Sequence, residues 1–322
     1  MGDRAQDQQW SAADIPDLSG RTAVVTGANS GVGYETARML AEKGAVVVLA
    51  CRNLDAAARA AARIREGSAT AELDCVELDL MSLASVRSAA AALRAGYPRI
   101  DLLVNNAGAA SMPYIRTIDG FEATFATNHL GPFALTGLLL DRIAPVAGAR
   151  IVTVSSVTHR RARLDFDDLD CERQRYRYMK AYGRSKLANL LFTFELQRRL
   201  EVAGASAIAV AAHPGAARSG FAGHMGALTR MLSRKPWYAL VSWSQQSAAM
   251  GALASLRAAV DGEARGGDFY GPTRMFGLKG HPELIEPAAC ARDTEAQARL
   301  WLESERLTGV VYGSVSPGTG TA

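Results

Sequence analysis

Short runs of β-branched and apolar residues recur along the chain, and most are followed by a longer stretch whose apolar residues fall at helical spacing. The first run, Arg21-Thr22-Ala23-Val24-Val25-Thr26, is bounded by Gly20 and Gly27 and reads as a strand buried on both faces. Tyr34 to Lys43 carries a helical stripe, Gly44 ends it, and Ala45 to Ala50 forms a second strand, completing a βαβ unit. Ala56 to Glu66 predicts a helix, Leu73 to Leu78 a third strand, Ser82 to Arg94 a helix capped by Ser82, and Ile100 to Val104 a fourth strand. Phe121 to Leu140 is long and apolar. Ala149 to Val154 is a fifth strand, Ser206 to Ala212 a sixth and Gly267 to Tyr270 a short seventh. The alternation predicts an α/β fold: a single doubly wound Rossmann-type domain, its parallel sheet of about seven strands flanked by helices, with ligands at the carboxyl edge. That domain is expected over 18–313, between a flexible polar arm at 1–17 and a loose tail at 314–322.

The strand ends carry the polar chemistry. Between the first strand and its helix stands Gly27-Ala28-Asn29-Ser30-Gly31-Val32-Gly33. Glycines there allow a tight turn and close backbone approach, and the following helix offers free N–H groups and a positive dipole end to a pyrophosphate. The spacing is GxxxGxG, a variant of the usual dinucleotide fingerprint. After the second strand, where an NAD-preferring fold places an acid for the ribose hydroxyl, the chain reads Cys51-Arg52-Asn53. The planar fork of Arg52 suits a 2′-phosphate, so NADP(H) is preferred and NAD(H) remains possible. Asp79, followed by Leu80, ends the third strand over the same crevice. Asn128 lies among Phe125, Leu130 and Phe133, where an unpaired amide is costly, so it should be hydrogen-bonded. Tyr182 and Lys186, four residues apart on a predicted helix, share one face. A cation beside a phenol lowers its pKa, and such a pair can exchange a proton with an alcohol or carbonyl oxygen.

Composition narrows the alternatives. With 322 residues, 48% hydrophobic and 21% charged, the chain has the make-up of a soluble globular protein, and a cytoplasmic location is expected. Its most apolar early run, Ala45 to Cys51, falls far short of the ~20 residues of a membrane span. The net charge of +4 is spread along the chain and gives no reason to expect nucleic acid. Four cysteines without a CxxC pair read as reduced thiols, and five histidines without HxxxH or HExxH spacing give no metal site.

Taken together, Gly27, Gly31 and Gly33, then Asn105-Asn106-Ala107-Gly108, Asn128, Ser156, and Tyr182 with Lys186 resemble the short-chain dehydrogenase/reductase family in its own motif order. Ala50-Cys51-Arg52, Thr127-Asn128-His129-Leu130-Gly131, Lys186-Leu187-Ala188-Asn189 and His213-Pro214-Gly215 are similar to its retinol dehydrogenase-like branch and bacterial relatives. The resemblance implies an NADP(H)-dependent oxidoreductase interconverting a small-molecule alcohol and carbonyl. In it Tyr182 is the acid/base, Lys186 lowers the tyrosine's pKa and binds the nicotinamide ribose, Ser156 holds the substrate oxygen, and Asn128 positions a relay water. It further implies that Ser30 and Val32 line the phosphate loop, Asp79 approaches adenine, Asn106, Ala107 and Gly108 run along the cofactor, and Pro214, Gly215 and Ser219 face the nicotinamide amide.

Ser156 and Tyr182 lie 26 positions apart, about twice the usual family interval, so 158–180 is read as an inserted loop of the kind that branch carries. Its arginines are interleaved with Asp165, Asp167, Asp168, Asp170 and Glu172, and the expectation is internal salt bridging. The apolar stretch 216–247 is expected to cap the site and favour a hydrophobic substrate, or else to join copies in a homo-oligomer; Met275 to Leu278 would add a wall. A cofactor-binding regulatory or scaffold protein without turnover is the alternative function, but a binder needs no proton relay. A sugar-nucleotide epimerase would carry GxxGxxG, which this glycine loop does not fit.

Overall fold

A computed structural model describes residues 9–173, 175–217 and 246–313. Eight strands form one sheet: β1 Thr22–Thr26, β2 Val46–Cys51, β3 Leu73–Glu77, β4 Leu102–Asn105, β5 Arg150–Val154, β6 Ile208–Ala212, β7 Phe269–Thr273 and β8 Lys279–Leu284. Their spatial order is β3-β2-β1-β4-β5-β6-β7-β8. All neighbours pair in parallel except β7 and β8, which are antiparallel. The order reverses between β1 and β4, and there the crevice opens beyond the strand ends.

The apolar runs become buried strands because helices cover both faces. On one side α1 (Gly31–Glu42), α2 (Leu54–Gly67) and a later helix, Ala248–Val260, pack against Val25, Val47, Leu49 and Val104. The alternate residues Val24, Val48, Ala50 and Leu103 meet α3 (Leu83–Gly96) and α4 (Gly131–Ile143) on the other. The two-residue period of a strand thus places successive valines in different core layers. Asn53 and Ser82 cap α2 and α3 by accepting from the Ala56 and Ser85 amides, the latter as the sequence indicates.

The helix α5, Tyr178–Val202, begins one turn before Tyr182. Numbering on, Ala248–Val260 is α6, and α7 is Thr294–Thr308, ended by Gly309 in the left-handed conformation. Beyond it Tyr312 is buried with Trp301 and Phe133 and donates to the Phe133 carbonyl at 2.6 Å. Burying each of these rings is worth roughly 2–3 kcal/mol, enough to fix Tyr312 over α4.

The structure corrects three expectations. The sheet has an eighth strand, β8, hidden in the sequence because Lys-Gly-His-Pro-Glu-Leu has no apolar alternation; it is an edge strand, where Pro282 is tolerated. Residues 9–17 are no loose arm: Trp10 and Ile15 are buried, and His281 Nδ1 meets the Trp10 carbonyl at 2.9 Å. The insert's acids do not pair with its arginines among the described residues. Glu172 pairs instead with Arg116 and Asp167 with Arg299, while Asp165 and Asp168 accept backbone amides within the loop. Residues 1–8 of the arm, the tail 314–322, Ser219 and most of the segment 216–247 lie outside the described residues.

Candidate active site

A cleft of about 480 Å³ runs along the carboxyl edge of the sheet, from the turn after β1 to the start of α5. Gly27, Ser30, Val32 and Gly33 line one part, and Arg52, Asp79 and Leu80 stand where β2 and β3 end. Asn106, Ala107 and Gly108 follow β4, and Tyr182, Lys186 and Pro214 close the far end. Gly31, Asn128, Ser156 and Gly215 do not line the cleft directly. Met275 to Leu278 does not form its wall either, and Phe276 is 92% exposed.

The turn is shaped for a phosphate. Gly27 and Gly31 have φ of +66° and +57°, values that L side chains rarely adopt. Gly33 packs so tightly that a Cβ there would overlap the Gly27 carbonyl oxygen and Asn106 Nδ2. Ser30 occupies the N-cap of α1 but makes no side-chain capping bond, so its own hydroxyl leaves the first amides of that helix unengaged. These features fit a dinucleotide pyrophosphate. Thr26, which sequence reasoning passed over, braces the crevice: its Oγ1 accepts from the Asn106 and Ala107 amides, and its carbonyl accepts from Asn106 Nδ2 at 2.8 Å. The Asn106 side chain therefore holds β1 to the loop after β4. Arg52 is exposed, and among the described residues its guanidinium meets only the Met81 sulfur, at 3.9 Å.

At the far end Ser155 and Ser156 part company as strand alternation requires. Ser155 is buried and donates to the Lys186 carbonyl at 2.8 Å, while the Ser156 side chain is hydrogen-bonded to Tyr182. Tyr182 is half-buried; Lys186 is buried, donates from Nζ to the Val154 carbonyl at 2.8 Å and lies 5.7 Å from the Tyr182 ring centre. Burial pushes the phenol up to about 12, against the opposing pull of its bond to Ser156, and burial pushes Lys186 down to about 8. Desolvation thus sets the direction of the Tyr182 shift, and the opposing pull comes from Ser156.

Asn128 is fully buried and satisfied. Its Nδ2 donates to the Ala109 carbonyl and Ser185 Oγ, and its Oδ1 accepts from the Ala109 amide at 2.7 Å. Ser185 in turn donates to the Tyr182 carbonyl, so Asn128 reaches the start of the Tyr182 turn through one hydroxyl. Asn128 lies in a widened π turn, Ala126–Leu130. Pro132, four residues on, has no N–H to offer the Asn128 carbonyl. His129 Nε2 meets Ser304 Oγ of α7 at 2.8 Å and fastens this turn to that helix.

Ser111, Met112 and Ile115, also unforeseen, border the same cleft; they sit in a loop with no periodicity to mark them. Among the described residues no group of His, Cys, Asp and Glu could hold a metal ion, and no helix is long and apolar enough to cross a membrane.

The family described as short chain dehydrogenase matches this chain over residues 21–227. Retinol dehydrogenase 13 of Homo sapiens is 40% identical over 306 residues, covering 95% of this chain and 88% of that protein. Retinol dehydrogenase 14 of Mus musculus is 38% identical, covering 96% of this chain and 92% of that one. Among solved structures, one from Mycobacterium paratuberculosis is 41% identical with a TM-score of 0.77, covering 95% of this chain and 99% of its own. The Pseudomonas aeruginosa RhlG/NADP active-site complex is 28% identical with a TM-score of 0.61, covering 79% of this chain and 94% of that chain.

Proposed function

Because the chain belongs to the short-chain dehydrogenase/reductase family, within its retinol dehydrogenase-like members, we propose that it reduces and oxidises a hydrophobic carbonyl/alcohol pair with NADP(H), using Tyr182 as the proton donor and acceptor. It is an oxidoreductase of alcohols and carbonyls that uses a nicotinamide dinucleotide. The observation that carries the finer reading is that Lys186 and Tyr182, the latter hydrogen-bonded to Ser156, line one end of a cleft whose other end is the glycine turn.

The bound nicotinamide supplies the hydride in reduction and accepts it in oxidation. Gly27, Ser30, Gly31, Val32 and Gly33 would hold its pyrophosphate, Arg52 the 2′-phosphate, Asp79 and Leu80 the adenine end, and Asn106, Ala107 and Gly108 its length. Pro214 and Gly215 would border the nicotinamide; the proposed contact from Ser219 lies outside the described residues. Arg52 supports the NADP preference because it is exposed beside the cleft with no acid among the residues that line it near β2.

In the reducing direction the Tyr182 hydroxyl, protonated at neutral pH, gives its proton to the carbonyl oxygen. A positioned acid of this kind contributes roughly 10²- to 10⁴-fold. The Ser156 hydroxyl, already bonded to Tyr182, holds the same oxygen and stabilises its growing charge. Lys186 provides the nearby cation, and Asn128 would position the water that returns a proton.

The test is NADPH consumption against a panel of hydrophobic aldehydes and ketones, with NADH and Tyr182→Phe alongside. Turnover with NADPH that falls at least a thousandfold in the Phe variant, with cofactor binding intact, is expected. Full activity in Tyr182→Phe would remove the acid/base assignment, and tight cofactor binding without turnover of any substrate would favour the scaffold reading.

A further inference from the structure

Beside the catalytic cleft, and sharing Met112 with it, lies a second, open cavity of about 670 Å³. Its walls are aromatic: Tyr114, Tyr176 and Tyr178 line it together with Arg175 and Arg177. Tyr176 is firmly held, its single hydroxyl proton shared between the Ser111 carbonyl and Glu122 Oε1, each 2.9 Å away, and its ring meets Tyr114 edge to face at 5.2 Å. Since Ser111 itself lines the catalytic cleft, the same backbone joins the two spaces.

The arginines have no such engagement. Both are exposed, and among the described residues neither makes an ion pair or a side-chain hydrogen bond. The acids nearby are already committed: Glu172 to Arg116, Asp170 to the Glu122 amide, and Glu122 to the Thr124 and Phe125 amides as well as Tyr176. Glu172, Asp170 and Glu122 still act on Tyr114 from behind the wall, but the two exposed guanidiniums lining the cavity make no ion pair among the described residues and are open to an anion. An apolar group alone would gain nothing from them.

We infer that this cavity receives the far end of the substrate, so that the substrate is a carbonyl or alcohol with an apolar body and a terminal carboxylate or phosphate. The inference rests on the oxidoreductase reading above and adds to it the polarity of the substrate's tail. The carbon to be reduced lies by Tyr182, the body passes Met112, and the anion meets Arg175 and Arg177.

The experiment compares three aliphatic aldehydes with NADPH: one ending in a carboxylate, one ending in a phosphate monoester, and the methyl ester of the first. At low ionic strength the two anions should exceed the ester about tenfold in kcat/KM, mostly through KM because the tail contact is made equally before and during the reaction. Raising the salt should shrink the preference. In the Arg175→Gln/Arg177→Gln double variant the preference should vanish while ester turnover is kept, which also shows that the variant folds. The better of the two anions identifies the tail. Equal turnover of acid and ester, or a preference that survives the double variant, overturns the inference and leaves the reaction standing. Turnover of the hydrophobic panel above without turnover of any of these three aldehydes overturns the inference alone, and absence of turnover with the panel as well overturns the reaction.

Discussion

Lys186 places its Nζ 5.7 Å from the centre of the Tyr182 ring while donating to the Val154 carbonyl at 2.8 Å. The backbone end of β5 thus fixes the cation beside the phenol. Val154 also accepts from Asn189 Nδ2 at 3.0 Å, so one carbonyl orients two side chains of α5.

That arrangement has a pH signature. Burial lowers Lys186 to about 8 and raises Tyr182 to about 12, so the ammonium is lost well before the phenol ionises. For carbonyl reduction the competent free protein carries a protonated Tyr182 and a charged Lys186. Its kcat/KM should therefore hold steady at neutral pH and fall as pH rises through about 8. A profile that falls only near the ordinary lysine value, about 10.4, would contradict this assignment.

Gly33 tests the phosphate turn. In Gly33→Ala the new methyl meets the Gly27 carbonyl and the Asn106 side-chain amide, and the first of these is backbone that cannot swing aside. The turn must shift, with a loss of about 1–3 kcal/mol. A titration should show cofactor affinity down at least tenfold, whereas wild-type affinity in this variant would mean that the turn does not hold the pyrophosphate.

Arg52→Ala separates the two cofactors. The guanidinium is exposed and loosely placed against the Met81 sulfur, so its removal should leave the thermal midpoint nearly unchanged. NADPH binding should weaken about tenfold, the scale of a charge-assisted contact to phosphate, with little change for NADH. Equal weakening of both would deny Arg52 the 2′-phosphate.

Much of this was legible in the sequence because parallel strands buried on both faces are written as continuous apolar runs, and the glycine turn, Asn128, Tyr182 and Lys186 stand at their ends or on the helices that follow. Strand alternation turns the adjacent Ser155 and Ser156 to opposite faces, and the two side chains do diverge. What could not be read came from long-range contacts. β8 exists only by pairing with β7, and Thr26 looks like any strand-end threonine until the Asn106 amide finds it. The direction of the Tyr182 shift was also beyond the sequence, since four-residue spacing announces a neighbouring cation but not the desolvation that raises the phenol.

His159 should act as a positioning residue for Ser156. It is buried; its Nε2 lies 3.2 Å from the Ala288 amide, which can only donate, so Nδ1 carries the ring proton and donates to the Ser156 carbonyl at 2.6 Å. His159→Ala should lower kcat about tenfold with cofactor affinity kept, as a small displacement of a reacting group does. His159→Asn, which keeps a donor near Nδ1, should restore part of it; an unchanged kcat in His159→Ala would leave the histidine a purely structural role.

Two other histidines set the acid limit of the fold. His129 and His213 are buried, and desolvation holds both at about 3, far below the ordinary value near 6.5. Above the unfolded value both states are neutral and nothing is lost. As pH falls below it the unfolded chain takes up protons that the folded chain refuses, so stability declines, by ~2 kcal/mol per histidine at about pH 5. His129 matters more for activity, because its bond to Ser304 ties the π turn carrying Asn128 to α7. Denaturant unfolding at neutral pH and at about pH 5 should therefore show a marked loss in the parent protein. His129→Gln, which keeps a polar partner for Ser304 but cannot take up a proton, should lose about 2 kcal/mol less over the same interval. Equal losses in the two proteins would mean that His129 does not govern acid unfolding.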